Sequence, residues 1–290
     1  MPLEDIEAIC IDTRDVNLAV AAAARMREAG VGNIKILTDE DGVAIARRAD
    51  FNATAIQKLE TIDAYSKFMI EQAHEHVTSD HFLVFQWDGF IINPHLWWDG
   101  FLEYDYIGAP WPQPYRPTPD LKVGNGGFSL RSRSLAEALS KGYNPNTDTP
   151  EDVYIAIQLQ NNTVMRKFLT APTEIARHFS AEHQTYLNAD QPFDKIPKTK
   201  TLGFHGWFNF FMAADDNLLL HYVNNVLNDN QRKRILCSWS NTALLVNLIN
   251  RGRVDIANEL SAITAATLGI TFSKGAGIQS LINFINNKNS

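Results

Sequence analysis

Cysteine is scarce. Of 290 residues only Cys10 and Cys237 carry a thiol, far apart in the chain. A disulfide framework and a cysteine-rich zinc site are therefore both excluded. No run of about 18 apolar residues exists, so no membrane-spanning helix is expected. The first residues, Met1-Pro2-Leu3-Glu4-Asp5, lack the basic start and long apolar stretch of a secretory signal. A cytoplasmic protein is the simplest expectation, and peripheral contact with a membrane stays open. Positive charge is also short. Lys and Arg number 26 against 33 Asp and Glu, for a net charge of −7. A nucleic-acid partner is not expected, because such binding needs a basic face to displace phosphate counterions. A small anionic ligand remains compatible, since a few local cations or one metal ion can hold a diphosphate. The 45% hydrophobic content is enough for a sizeable core.

The first stretch reads as strand, helix, strand. Ile6 to Ile11 is a short apolar run, Asn17 to Glu28 is an Ala-rich helix closed by Gly30, and Asn33 to Leu37 is the next strand. That order predicts a βαβ unit and a parallel sheet. Ligands bind such sheets at the carboxyl ends of the strands, which places Asp12, Thr13 and Arg14 at a site. Ile62 to His74 reads as helix. His81 to Phe85 is the strongest strand and runs into Gln86-Trp87-Asp88-Gly89. Pro110 to Pro119 is expected to be a loop. Val123 to Arg131 is a Gly-rich turn entering a strand, Leu135 to Ser140 is helical, and Thr149-Pro150-Glu151-Asp152 opens a further helix, with Thr149 as N-cap and Pro150 at the first helical position. From Asn217 onward the texture is helical and without proline, and Leu244–Ile249 with Val254–Ala266 form a helix pair turning at Gly252. The expectation is an α/β domain over residues 1–214 and a helical region over 215–290. Homo-oligomerisation, acceptor binding and core completion all fit the helical region.

Four elements carry chemistry. Asp88 follows a buried strand directly and is backed by Gly89, a placement that suits a carboxylate ligand to Mg²⁺ or Mn²⁺. A turn Asp at a strand end is the plainer alternative. Gly126 and Gly127 let the backbone approach a ligand and offer N–H groups to oxygens of a donor or acceptor. Asp152, fixed on the first turn of a helix with Glu151 beside it, suits a general base, although two acids there also simply stabilise a helix start. His205, between Gly203-Phe204 and Gly206, is a candidate metal ligand, or a structural histidine. Trp111 is the aromatic most suited to stack on an acceptor sugar, whereas Trp87, Trp97 and Trp98 fit a core.

The order of these elements carries a resemblance. Leu83-Val84-Phe85-Gln86-Trp87-Asp88-Gly89-Phe90, Tyr104 to Trp111, Gly124 to Arg131, Pro150-Glu151-Asp152-Val153 and Gly203-Phe204-His205-Gly206 together resemble a poorly characterised, mainly bacterial family of GT-A-like glycosyltransferases. The resemblance spans residues 6 to 207. It implies a GT-A, Rossmann-like, mostly parallel sheet flanked by helices, with a C-terminal helical appendage. It implies transfer of a sugar from a nucleotide sugar, a UDP-sugar by analogy, to a glycan or other hydroxyl acceptor, with Mn²⁺ or Mg²⁺. Asp88 resembles the last Asp of D-x-D, Asp152 the base of inverting members, and His205 the C-terminal metal ligand. Thr13 and Arg14 resemble nucleotide contacts, and Tyr65 and Lys67 are donor-site candidates. The first Asp of D-x-D is replaced by Gln86, which keeps a donor-side place but removes a charge. A nucleotidyltransferase and a non-catalytic carbohydrate-binding or scaffold protein are the alternatives. The former normally carries a Gly- and basic-rich loop after its first strand, absent here.

Overall fold

The computed structural model describes residues 2–111, 122–142, 149–182, 200–212, 216–270 and 277–288. These fall into two compact units, one ending at His205 and the other beginning at Gly206.

In the first unit β1 (Glu7–Ile11) leads into α1 (Val16–Glu28), β2 (Asn33–Thr38), α2 (Glu40–Arg48), β3 (Asn52–Ala55), α3 (Ile62–Glu71) and β4 (His81–Phe85). Then follow β5 (Tyr106–Ile107), β6 (Ala109–Pro110), β7 (Val123–Gly124), β8 (Phe128–Ser132), α4 (Arg133–Gly142), α5 (Glu151–Asn161), α6 (Thr173–Phe179), β9 (Ser180–Ala181) and β10 (Gly203–Phe204). The main sheet has six strands in the order β3-β2-β1-β4-β8-β5. The first four run parallel, and β8 is antiparallel to both neighbours. The fold is thus α/β, with a mostly parallel sheet flanked by helices and a helical C-terminal part.

Burial explains the sheet. Every residue of β1 is buried, as the short apolar run requires of a strand covered on both faces. Ile9, Ile11, Leu37, Phe82 and Val84 pack with Phe68 and Met69 of α3. Tyr106, Leu135, Leu139, Tyr154 and Ile155 form a second cluster with Ile70. Thr61 caps α3 by accepting from the Ala64 amide at 3.1 Å, and Asp39 caps α2 through Gly42 at 2.9 Å. After α1 the chain turns through Gly30 at φ +97°, a conformation that glycine adopts without strain.

Local expectations are corrected in three places. Residues 112–121, most of the proline-rich stretch, lie outside the described residues, but Pro110 belongs to β6 and pairs with Val123 of β7. An edge strand tolerates proline because its missing N–H is not needed. The N-cap of α5 is Pro150, not Thr149, and no side chain caps it. The helix through Ile62 breaks at Gln72 into a short 3-10 turn, Ala73–His76.

The second unit has α7 (Asp216–His221), α8 (Asp229–Leu236), α9 (Trp239–Asn250), α10 (Val254–Leu268) and α11 (Ile278–Lys288). Gly252, at φ +73°, turns the chain between α9 and α10. Leu244, Leu245, Leu248 and Leu260 are fully buried. Buried Asn241 ties the unit together: it accepts from Trp207 Nε1 at 3.2 Å and donates to the Leu236 carbonyl at 3.0 Å. Among the described residues no helix is long and apolar enough to cross a membrane.

Candidate functional site

Strand directions decide what meets at the carboxyl edge of the sheet. β1 and β4 are parallel, with Ile9 opposite Val84, so their exits lie side by side. β8 runs the other way, with Phe128 opposite Phe85, so its entrance lies beside the exit of β4. Gly126 and Gly127 therefore come to Gln86–Gly89. That segment is closed as a tight turn by two backbone bonds between Gln86 and Gly89, of 3.0 and 3.1 Å. β10 pairs in parallel with β9, Phe204 opposite Ala181, and the next register step brings His205 to Glu182.

A cleft of about 390 Å³ opens at this edge. Thr13, Arg14, Tyr65, Gln86, Gly126, Gly127, Glu151, Asp152 and His205 all line it. Three sequence-predicted residues do not: Asp88, Lys67 and Trp111. Lys67 is exposed on α3 and pairs with Glu71 at 4.0 Å. Trp111 is only 4% exposed and packs with Val153 and Ala156, so its ring is core, not an acceptor platform. The proline flank suggested exposure, but the β6–β7 pairing carries the ring inward.

His205 is the hub. Its Nδ1 lies 2.9 Å from Glu182 Oε1, and its Nε2 lies 3.1 Å from Gln86 Oε1 and 3.6 Å from Asp88 Oδ1. Burial works against charge on the ring, but Asp88 and Glu182 outweigh it and hold His205 well above the usual histidine range. Asp88 does not line the cleft and meets the lining through this contact with His205. Among the described residues no three His, Cys, Asp or Glu side chains gather closely enough to hold a metal by themselves. Asp88, the Gln86 amide oxygen and, once its Nε2 proton is displaced, the His205 ring nonetheless form one adjacent set of donors, the kind that suits Mn²⁺ or Mg²⁺ when phosphate oxygens complete the shell.

The opposite wall is acidic. Asp152 Oδ2 accepts from the Asn125 amide at 3.1 Å and Oδ1 from the Val153 amide at 2.8 Å. Burial, then the Glu151 and Glu182 carboxylates, push Asp152 up to about 7. A carboxylate poised there accepts a proton at neutral pH with useful driving force. Glu151 has a different commitment: its Oε1 accepts from buried Arg131 at 3.2 Å. Gly126 and Gly127 are small because of these neighbours. A Cβ on Gly126 would overlap the Glu151 carboxylate, and one on Gly127 the His205 ring.

Thr13 is spent on structure. Its hydroxyl accepts from the Leu59 amide at 2.9 Å and donates to the Leu59 carbonyl at 3.3 Å, which pins one rim. Asp12 accepts from the Arg14 and Asp15 amides at 2.8 and 2.7 Å, yet burial raises its pKa. Gln86 Nε2 donates to Tyr65 at 2.9 Å. Burial first, and Glu151 next, hold the Tyr65 phenol far above its ordinary value, so it stays protonated. Cys10 lines the floor, but burial, Asp12 and Asp88 push its thiol well up, which excludes a reactive thiolate. Glu182 was missed by sequence reasoning. It follows a short helix with no motif around it, and only the β9–β10 register reveals it.

Parts of the chain match solved structures at low identity and low TM-score. HddC from Yersinia pseudotuberculosis matches with a TM-score of 0.34 and 9% identity, over 57% of this chain and 88% of that one. Bifunctional IspDF from Campylobacter jejuni matches at 0.36 and 10%, over 53% of this chain and 47% of that one. Glucosyl-3-phosphoglycerate synthase from Mycobacterium tuberculosis, solved with phosphoglyceric acid, matches at 0.31 and 11%, over 45% and 57%. No curated protein matches the chain. A family model covers residues 48–205, more than half of the sequence and most of the cleft's lining from Leu59 to His205, and the chain belongs to that family, described as a protein of unknown function (DUF5672).

Proposed function

We propose that the chain is a GT-A-type glycosyltransferase that moves a sugar from a nucleoside-diphosphate sugar, a UDP-sugar in the first instance, to a hydroxyl acceptor with inversion. One observation carries the reading. A single cleft at the sheet's carboxyl edge is lined by Gln86, by His205, which Asp88 contacts at 3.6 Å, and by a helix-borne carboxylate, Asp152, raised to about 7.

In this reading Asp152 takes the proton of the acceptor hydroxyl. The freed oxygen attacks the anomeric carbon, the bond from that carbon to the diphosphate breaks, and its electron pair leaves on the phosphate oxygen. Mn²⁺ or Mg²⁺ bound by Asp88 and His205 would neutralise the charge that develops on the diphosphate. The backbone of Gly126 and Gly127 borders the donor sugar, with the Gly127 amide committed to Asn125 Oδ1. Tyr65 supports Gln86 from below, and Arg14, largely exposed at the rim, is the cation nearest to hand for a phosphate. The cleft's acidity supports metal assistance: Asp12, Asp15, Glu60, Glu151, Asp152 and Glu182 all line it, and a bare diphosphate would meet repulsion.

The test is release of nucleoside diphosphate from a panel of nucleotide sugars with Mn²⁺. Asp152→Asn should cost about 10²–10⁴-fold in turnover while donor binding survives. Near-normal turnover in that variant sinks Asp152 as the base. Release of pyrophosphate from sugar phosphate and nucleoside triphosphate would instead point to nucleotidyl transfer.

A further inference from the structure

Asn125 stands between β7 and β8 at φ +78° and is 1% exposed. L residues rarely adopt this left-handed conformation, although Asn tolerates it better than most. Its sequence neighbours Gly124, Gly126 and Gly127 are all glycine. Glycine would satisfy this φ without strain, so an asparagine here implies work for its side chain.

That work is visible in the bonds. Asn125 Oδ1 accepts from the Gly127 amide at 3.0 Å, which closes a local turn. Nδ2 donates to Ser180 Oγ at 3.2 Å, which ties the turn to β9. The Asn125 carbonyl accepts from the Tyr106 hydroxyl at 3.3 Å. With these three groups fixed, the remaining one, the backbone N–H, points at Asp152 Oδ2 at 3.1 Å.

We propose that Asn125 is the positioning residue of the site: its left-handed backbone, locked by its own side chain, aims its amide at Asp152 and holds that carboxylate where the acceptor's proton is received. The proposal rests on Asp152 being the base, the reading given above. Several charged or titratable groups face Asp152. Glu151 lies on its own helix, Glu182 beyond β9 and Tyr106 on β5, while Arg131 on β8 stands behind Glu151. The two carboxylates favour the protonated form, and the amides of Asn125 and Val153 favour the ionised one. Loosening the Asn125 amide therefore raises the midpoint.

The experiment follows the Asp152 side-chain carboxyl by ¹³C NMR through a pH titration, with Asp152→Asn to assign the signal. Asn125→Ala and Asn125→Gly are compared with the unaltered protein. Alanine carries backbone strain at this φ and loses the side-chain bonds. Glycine loses only the side-chain bonds, so it still folds if the alanine variant does not. Both should raise the Asp152 midpoint by about half a unit or more, alanine further than glycine. With UDP-sugars and Mn²⁺, both should lower kcat for UDP release about tenfold, with KM for the donor within about twofold. An unmoved midpoint in folded Asn125→Gly overturns the proposal, even if UDP is released normally. A moved midpoint in a protein that releases no UDP leaves Asn125 as the holder of the carboxylate and brings down the glycosyl-transfer reading instead.

Discussion

Arg131 on β8 and Glu151 at the start of α5 form an ion pair at 3.2 Å, with side chains 3% and 7% exposed. Neither charge has water to fall back on. Arg131 Nε also donates to Ser129 Oγ at 3.1 Å, and its guanidinium lies 5.7 Å from the Tyr106 ring. Glu151 therefore anchors α5, and so places Asp152, the next residue. Glu151→Ala should destabilise the protein by about 3–5 kcal/mol, because it leaves a buried guanidinium uncompensated. Replacing both partners by Leu and Met should recover much of that loss. Denaturant unfolding of the two variants checks it, and a Glu151→Ala protein within about 0.5 kcal/mol of the unaltered one would refute the pairing's structural role.

Gly127 and Gly126 should be intolerant of alanine for different reasons. A Cβ at Gly127 meets the His205 ring, and at Gly126 the Glu151 carboxylate, which Arg131 holds in place. Each substitution should cost about 1–3 kcal/mol by overpacking. Gly127→Ala should in addition disturb whatever His205 does in the cleft. Gly142, at the end of α4, has open space around it, so Gly142→Ala should be neutral or slightly stabilising. Thermal melts of the three variants suffice. Equal behaviour at all three positions contradicts the close packing described here.

How much of this was legible in the sequence depends on distance along the chain. β4 was readable at its full bounds, His81–Phe85, because an apolar run of strand length has few other fates. The α9–α10 pair was readable from its apolar periodicity and Gly252. α2 and β3 were not. Glu40–Arg48 is short, with four charged residues and a glycine among nine, and Asn52–Ala55 has only Thr54 as a β-former, so both depend on the sheet they pack against. The site divides in the same way. Asp88 and Asp152 follow local punctuation, a strand end and a helix start. Glu182 and the Gln86–His205 contact, which joins residues 119 apart, exist only through the pairing of β9 with β10 and of β10 with the segment after β4. The antiparallel direction of β8, which brings the glycines to Gln86, has no local signal either.

Stability should respond to pH in a definite sense. Asp152 is raised from 3.8 to about 7 by burial and by Glu151 and Glu182, and Asp12 is raised by burial. Between those two values the folded protein keeps a proton on Asp152 that the unfolded chain has lost. The stabilising effect of that retained proton is therefore full below pH 3.8 and is lost as pH rises towards 7. Asp152→Asn has no such proton to lose. Relative to the unaltered protein it should be more stable at pH 8 than at pH 5. Glu7, whose carboxylate is lowered despite its burial by bonds from Thr78 and Ser79, has the opposite sense and weakens the fold only in acid. Urea unfolding of both proteins at the two pH values is the measurement, and a difference that does not change with pH would contradict the raised Asp152.

The donor set at His205 makes the sharpest prediction about ligands. Asp88 and His205 supply one carboxylate and one imidazole, and Gln86 contributes a neutral oxygen 3.1 Å from the same ring nitrogen. Affinity for hard divalent ions rises with the number of charged oxygen ligands. Calorimetry with Mn²⁺ and UDP should therefore find that Asp88→Ala and His205→Ala each weaken metal-assisted UDP binding by about tenfold or more. Gln86→Glu, which keeps the side-chain length and adds a charge, should strengthen Mn²⁺ binding, while Tyr65 can donate to the new carboxylate in place of receiving from the amide. Lys67→Ala should change nothing, because that side chain lies outside the cleft beside Glu71. If Asp88→Ala and Lys67→Ala bind Mn²⁺ and UDP alike, the metal role assigned to this strand end fails, and the acidic wall around Asp152 must be matched by a cation on the substrate itself.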